Sequence, residues 1–386
     1  LTWTLLAEGR PVQTGTVDNL VVGPQQKALY TLPYSLSNVP AGKEALLNID
    51  FTLKSAEPLM EAGQTVAYDQ FTVRGYDFAA AQPNVQPQKM KVKLNNGKKG
   101  GDVSVEAGGF KVVIDKTTGN LKSYVLNGKQ VLPSGSVLKP NFWRAPTDND
   151  MGASLHKKCK AWRNPKLNLT GITAKTDKKT GISNIVVAYN MPEVQSKLTM
   201  TYTVMPNGQM KVTEAMTVTK GAEVGEPLRF GIVVNLPKAM SQSQFYGRGP
   251  IENYNDRKMS QRIGLYSQTA DEQFFPYIRP QETGSKCDIR WWKQTDGAGN
   301  GIMIVSDKAF SASALHYTIE TLDDGDQKDQ RHPEQLAKAN FTQFCFDGIM
   351  AGVGGIDSWS QNAQALPQYR VGYQDRSFTF WIMPAK

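Results

Sequence analysis

The chain has 386 residues, 40% of them hydrophobic and 20% charged, with a net charge of +9. That length exceeds one ordinary core and the composition is that of a folded globular protein, so two domains are expected, one of them large. No apolar run approaches the roughly 18 residues of a membrane-spanning helix, and the three widely spaced cysteines, Cys159, Cys287 and Cys345, make neither a disulfide framework nor a zinc-type CxxC pair.

The excess lysines cluster at Lys89, Lys91, Lys93, Lys98 and Lys99, at Lys157, Lys158 and Lys160, and at Lys175, Lys178 and Lys179. These runs read as solvated loops. A nucleic-acid reader would carry a basic stripe interleaved with aromatics on a recognisable motif, and none is present. His156 and Cys159 stand close together but supply too few ligands for a metal, so no metal and no membrane or nucleic-acid partner is expected. The chain starts at Leu1, already strand-like and without a basic-then-apolar signal segment, so it reads as a piece of a longer protein whose compartment stays open.

Residues 1–78 read as short strands with tight turns. Leu1–Leu6 and Val12–Val17 flank the turn Glu8-Gly9-Arg10-Pro11; Ala45–Leu53 and Tyr68–Val73 follow. Strands at this spacing without helical periodicity suggest an Ig-like β-sandwich, without its first strand if the chain is cut there. Residues 79–101, with Pro83, Pro87 and the run Asn95-Asn96-Gly97-Lys98-Lys99-Gly100-Gly101, read as a linker. From 102 to 386 strands resume: Phe110–Asp115, Leu121–Leu126, Ile185–Tyr189, Lys197–Val204, Met210–Val218, Leu228–Leu236, Gly301–Val305 and Ser377–Ile382. So long a run of strands predicts two large antiparallel sheets packed face to face. Gly325–Ala339 reads as a loop with at most one helical turn.

Five stretches break this rhythm by mixing polar and aromatic residues: Asn141–Gly152, Tyr246–Arg257, Tyr277–Ser285 with Asp288–Trp291, Ala314–Thr318, and Gly352–Ser360. Carboxylates, amides and guanidinium groups bond sugar hydroxyls in pairs, and aromatic faces cover the apolar face of a pyranose. In the last stretch, three glycines in four residues bring backbone close to something else and are followed by Asp357-Ser358-Trp359. For Arg248, Glu252, Arg257, Arg279, Glu282 and Arg290 the expectation is structural, because buried charges are ordinarily there to be paired.

Taken in order, these stretches resemble the C-terminal small-chain domain of bacterial β-galactosidases of glycoside hydrolase family 2, and the N-terminal part resembles the sandwich domain that precedes it. The resemblance implies an all-β protein: an Ig-like sandwich, then a large antiparallel supersandwich of galactose-mutarotase-like type. It also implies a parent enzyme that hydrolyses terminal β-D-galactosides with retention, using two glutamates in a (β/α)₈ barrel. The chain has no strand–helix alternation of the kind a barrel needs, so no catalytic residue and no cofactor is expected here, and magnesium and sodium would belong to the absent barrel. The implied partners are a galactoside, the barrel of the same chain and further copies in a homo-oligomer.

Within this chain the resemblance gives Trp359 the role of a platform for the bound sugar. The substrate-binding expectation extends to Asp357, Ser358, Asp148 and Asn149, and Gly152 would be the hinge of a mobile loop running towards Trp162. Ala153-Ser154-Leu155-His156-Lys157-Lys158 departs from the family pattern in that loop. Two alternatives stand beside this reading. A stand-alone mutarotase-like enzyme would need an acid and a base, and His316 is the only histidine in a plausible strand. The other is a purely structural, carbohydrate-binding module.

Overall fold

The computed structural model describes residues 1–89, 91–97, 100–326 and 331–386. Lys98 and Lys99 of the expected linker, and positions 327–330 of the expected loop, lie outside the described residues. The protein is all-β and its sheets are antiparallel.

Four strands form the first sheet: β1 (Thr2–Ala7), β2 (Arg10–Thr16), β3 (Ala45–Thr52) and β4 (Thr65–Arg74), in the order β2-β1-β3-β4. One face carries Trp3, Leu5, Ala45 and Leu47, which the irregular segment holding Leu32, Tyr34, Leu36 and Val39 covers. Gly15 lies under the Trp3 indole, where a Cβ would come within 2.5 Å of the ring. Leu6 and Leu46 join a second apolar cluster with Tyr246 and Ile263 of the large domain.

A small sheet follows, with strands β5 (Lys93–Asn95), β6 (Val103–Ala107), β7 (Phe110–Ile114), β8 (Leu121–Leu126) and β9 (Lys129–Gln130) in sequential order. β5 falls inside the stretch expected to be a linker. It pairs with β6 from Lys93 against Glu106 to Asn95 against Ser104, and Leu94 packs on the main core. One apolar residue between two polar ones is too short a period to stand out in sequence.

The remaining strands are β10 (Lys139–Asn141), β11 (Asn168–Thr176), β12 (Ser183–Met191), β13 (Ser196–Val204), β14 (Met210–Val218), β15 (Arg229–Pro237), β16 (Gln242–Gly249), β17 (Arg262–Thr269), β18 (Lys286–Thr295), β19 (Gly301–Leu315), β20 (Phe341–Met350) and β21 (Arg376–Pro384). They form one sheet that branches at β19. Along one edge β19 pairs with β18. Along the other, Ile302–Ser306 pairs with β21, whereas Ser311–Leu315 pairs with β20. Three arms therefore leave this strand: β21-β14-β13-β12-β11, β20-β15-β10 and β18-β16-β17. In place of two large sheets the large domain has one branched sheet and one small one. The small sheet covers the first arm: Val105, Val112 and Tyr124 share a core with Ile185, Leu198, Val212 and Phe380. The Tyr124 hydroxyl donates to Gly208 O at 2.9 Å, and Tyr189 donates to Thr118 O at 2.9 Å.

Charged groups join the N-terminal sheet to the third arm. The Glu44 carboxylate, its side chain fully buried, receives Arg290 Nη2 at 2.6 Å and Nε at 3.1 Å, and also the Tyr246 hydroxyl. Gln70 reproduces a strand pairing with its side-chain amide, which accepts from Ile263 N and donates to Ile263 O, both at 2.8 Å. Arg290 thus has the structural role expected of it.

On β14 the inward positions carry Met210, Val212, Glu214 and Met216, and neither carboxylate oxygen of Glu214 has a hydrogen-bond partner among the described residues. Burial holds its carboxyl well above the ordinary value of 4.5, and the nearby Asp347 carboxylate pushes it further up. An acid raised in the folded state favours the fold fully below its unfolded value, and that contribution is lost as pH rises towards the folded one. Glu214→Met should therefore flatten the fall in melting temperature between about pH 5 and pH 8, gaining most at the alkaline end. Identical pH slopes in the two proteins would show the reasoning to be wrong.

Candidate functional site

The stretch Phe142–Gly152 leaves β10 and ends in a one-turn helix over Asp148–Gly152. Thr147 caps that helix: its hydroxyl accepts from Asp150 N at 3.1 Å, and Asp150 Oδ2 accepts from Thr147 N at 3.0 Å. This capping box holds the first turn in place. Asp150 also receives Arg144, with Nε at 3.0 Å and Nη2 at 2.9 Å. Arg144 is completely buried, and its remaining donors reach across the fold to Ala351 O at 2.6 Å and Gly352 O at 2.8 Å.

The loop after β20 is gripped from a second side by Asp256. Its carboxylate accepts from Val353 N at 3.0 Å and from Gly354 N at 2.8 Å. A Cβ on Gly352 would stand 2.3 Å from Asp256 Oδ2, and one on Gly355 would stand 2.3 Å from Ala363 O. The glycines are needed for close approach to a carboxylate and a backbone carbonyl, and none of Gly352, Gly354 and Gly355 has positive φ. Gly152 meets the same loop, since a Cβ there would lie 2.3 Å from Ser358 O.

On this support the loop projects Trp359, whose residue is 81% exposed. Asp357 shapes the turn beneath it: Oδ1 accepts from Trp359 N at 3.2 Å and Ser360 N at 3.0 Å, and Oδ2 accepts from the Ser360 hydroxyl at 2.6 Å. Those bonds, led by the Ser360 hydroxyl, hold its carboxyl below the ordinary range. Ser358 lines two adjoining cavities of about 400 and 610 Å³, as do Asp148, Tyr277 and Gln281. Asn149 lines the first and Gly152 the second. Asp148 is held at the rim by Gln281 Nε2 at 2.9 Å, with Arg279 Nη1 at 3.6 Å. The fold thus brings Asp148, Asn149, Gly152 and Ser358 to one surface; Trp359 follows directly on Ser358, and Asp357 is committed to the turn.

The floor of the first cavity holds residues that the sequence reading had placed in structural roles or not singled out. Tyr254 is buried with an unpartnered hydroxyl. Burial raises Tyr254 well above its ordinary value, and the Glu282 and Glu252 carboxylates push it the same way. Burial also raises Glu282, against the pull of Arg229 and Arg144. Glu252 is fully engaged, receiving Arg257 at 2.6 Å, Gly284 N at 2.7 Å, the Thr283 hydroxyl at 3.1 Å and the Tyr277 hydroxyl. Among the described residues no group of three or more His, Cys, Asp or Glu side chains is arranged to hold a metal ion.

The family described as "Beta galactosidase small chain" matches residues 106–382, and "Beta-galactosidase, domain 4" matches residues 1–74. The chain belongs to the β-galactosidase small-chain family. A β-galactosidase of Priestia megaterium is 30% identical over 98% of this chain and 35% of its own length. One of Halalkalibacterium halodurans is 27% identical over 99% of this chain and 36% of its own. The chain therefore spans about a third of the relatives it matches. A solved galactose 1-epimerase from Lactobacillus acidophilus covers 76% of this chain and 99% of its own, at 7% identity and a TM-score of 0.39.

Within this small-chain domain, Arg144 is the link between the Asp148–Gly152 turn and the Trp359 loop. Arg144→Ala leaves the Asp150 carboxylate buried without its counter-ion and two carbonyls without a donor, and should cost about 3–5 kcal/mol in chemical denaturation. Arg144→Lys should recover only part of this, because an ammonium cannot span both partners. A loss below about 1 kcal/mol would mean that water replaces the guanidinium. Gly152→Ala should disturb the Trp359 loop with little global loss, read as a change in Trp359 fluorescence.

Proposed function

We propose that this chain is the C-terminal part of a retaining β-galactosidase of glycoside hydrolase family 2, and that it completes a sugar site whose reactive groups lie elsewhere in the parent protein. The observation that carries this reading is Trp359, an indole 81% exposed on a loop fixed from beneath by the buried Arg144 and the half-buried Asp256. Exposing so large an apolar ring has no benefit for folding, whereas a rigid indole is a suitable platform for the C–H face of a pyranose.

In this reading Asn149, whose amide has no partner among the described residues, and Asp148 at the same rim offer hydrogen bonds to sugar hydroxyls. Asp357 and Ser358 serve by setting the angle of the platform, and Gly152 lets the neighbouring turn close on it. The two catalytic glutamates, nucleophile and acid/base, belong to a barrel of the parent chain, as do its magnesium and sodium ions. The galactoside is bound between that barrel and this domain, and the parent assembles as a homo-oligomer. A stand-alone mutarotase is less well supported. His316 is buried, its Nδ1 lies 3.3 Å from Phe341 O, and no carboxylate pairs with it among the described residues.

The 386-residue chain alone should not hydrolyse a chromogenic β-galactoside; turnover that persists through purification would overturn the assignment. In the parent protein Trp359→Ala should raise KM for the galactoside about tenfold, with Trp359→Phe intermediate. An unchanged KM for the alanine variant would remove Trp359 from the site.

A further inference from the structure

A separate cavity of about 290 Å³ opens beside β10, and it shares no lining residue with those near Trp359. Its walls come from β10, from the residues that follow the turn at Trp162, and from the one-turn helix Ile319–Leu322. Three observations show that it is a built site.

The first is a wall that the fold holds rigid. Trp143 and Trp162 stand behind it, 3% and 0% exposed, and the Trp143 indole N–H donates to Asp323 Oδ2 at 2.8 Å. Arg163 Nε meets the same oxygen at 3.0 Å, and Gly325 N donates to Oδ1 at 2.9 Å. Asp323 is thereby spent on orienting an indole and a guanidinium. The second is Asn141. Its Oδ1 accepts from Trp143 N at 3.2 Å, but Nδ2 has no partner among the described residues although Asn141 is only 7% exposed. Buried amide donors are ordinarily satisfied, so an orphan beside a cavity asks for an acceptor from outside the chain. The third is the set of uncommitted groups around the mouth. Lys139, Glu320 and Asn164 line the cavity and make no hydrogen bond or ion pair among the described residues.

The charges determine the class of ligand. Lys139 and Arg163 offset Glu320 and Asp323, so neither an anion nor a divalent cation is favoured. Amides and charged groups of both signs, set beside the half-buried apolar side chains of Leu167 and Ile319, suit paired hydroxyls on a ring with an apolar face. The volume lies at the low end of ligand cavities, roughly 300–1,000 Å³, and admits one ring. We propose that this cavity is a second carbohydrate site, which takes a single neutral pyranose unit, free or at the end of a glycoside, independently of Trp359.

The test uses the full 386-residue chain carrying Trp359→Ala, which silences the platform at the other site. Methyl β-D-galactopyranoside is titrated by ligand-observed saturation-transfer NMR, with lactose and sodium gluconate as competitors. Saturable millimolar binding is expected, displaced by lactose but not by gluconate. Adding Lys139→Ala and Glu320→Ala should weaken it at least about fivefold without shifting the melting temperature, because neither side chain has a partner among the described residues. No saturable binding, displacement by gluconate, or binding unchanged in the triple variant would each overturn the proposal. None of these outcomes depends on whether Trp359 contacts substrate in the parent protein.

Discussion

A completely buried guanidinium holds the Trp359 region together. Arg144 has no access to water, so every N–H it carries must find an acceptor inside the protein. Four of the five do, two on Asp150, six residues away, and two on the carbonyls of Ala351 and Gly352, more than 200 residues away. Two loops from opposite ends of the domain are thus obliged to meet at one place. Asp256 adds an anion on the other side of the same glycine loop, bonded to two successive backbone N–H groups. Between a cation bound to carbonyls and an anion bound to amides, the loop has little freedom, and its rigidity allows an exposed indole to keep one orientation.

The architecture around this clamp depends on β19. A strand of 15 residues that changes partner midway lets one sheet divide into arms and curve around its own core. The Asn141–Gly152 stretch begins where the short β10 adds to one arm, and the Trp359 loop begins where β20 of that arm ends. The N-terminal sheet leans on the third arm through Glu44, Arg290 and Tyr246, a buried charge set that fixes register where the apolar contact of Leu6 and Leu46 alone would allow sliding. Such an ion pair contributes more to geometry than to net stability.

The Trp359 surface and the separate cavity follow one rule. An anchoring ion pair is used up by the fold, Arg144 with Asp150 in one case and Arg163 with Asp323 in the other, beside polar groups with no partner among the described residues. The Asn149 amide and Asn141 Nδ2 stand in that position. The stretch from Asn141 to Gly152 contributes to both places, so a single twelve-residue segment lines the Trp359 surface and the separate cavity alike.

The strands with one covered face were legible in the sequence. Met210–Val218 alternates apolar and polar residues except at Glu214-Ala215, and both it and Leu121–Leu126 fold with the expected bounds. The glycine loop was legible as a place of close approach, and Trp359 as a presented side chain, because glycine spacing and a following Asp-Ser turn are local signals. β16, β18 and β20 were not legible. Phe341–Met350 is buried on both faces for most of its length, and its polar residues pair inside the fold, which erases the alternation. Nor could the sequence show that Gly352 exists to make room for Asp256, that Glu282 and Tyr254 would face a cavity, or that β19 would change partners. Periodicity is written in neighbours two or four residues apart, whereas these features are contacts between residues tens to hundreds of positions apart, and only the closed chain brings them within bonding distance.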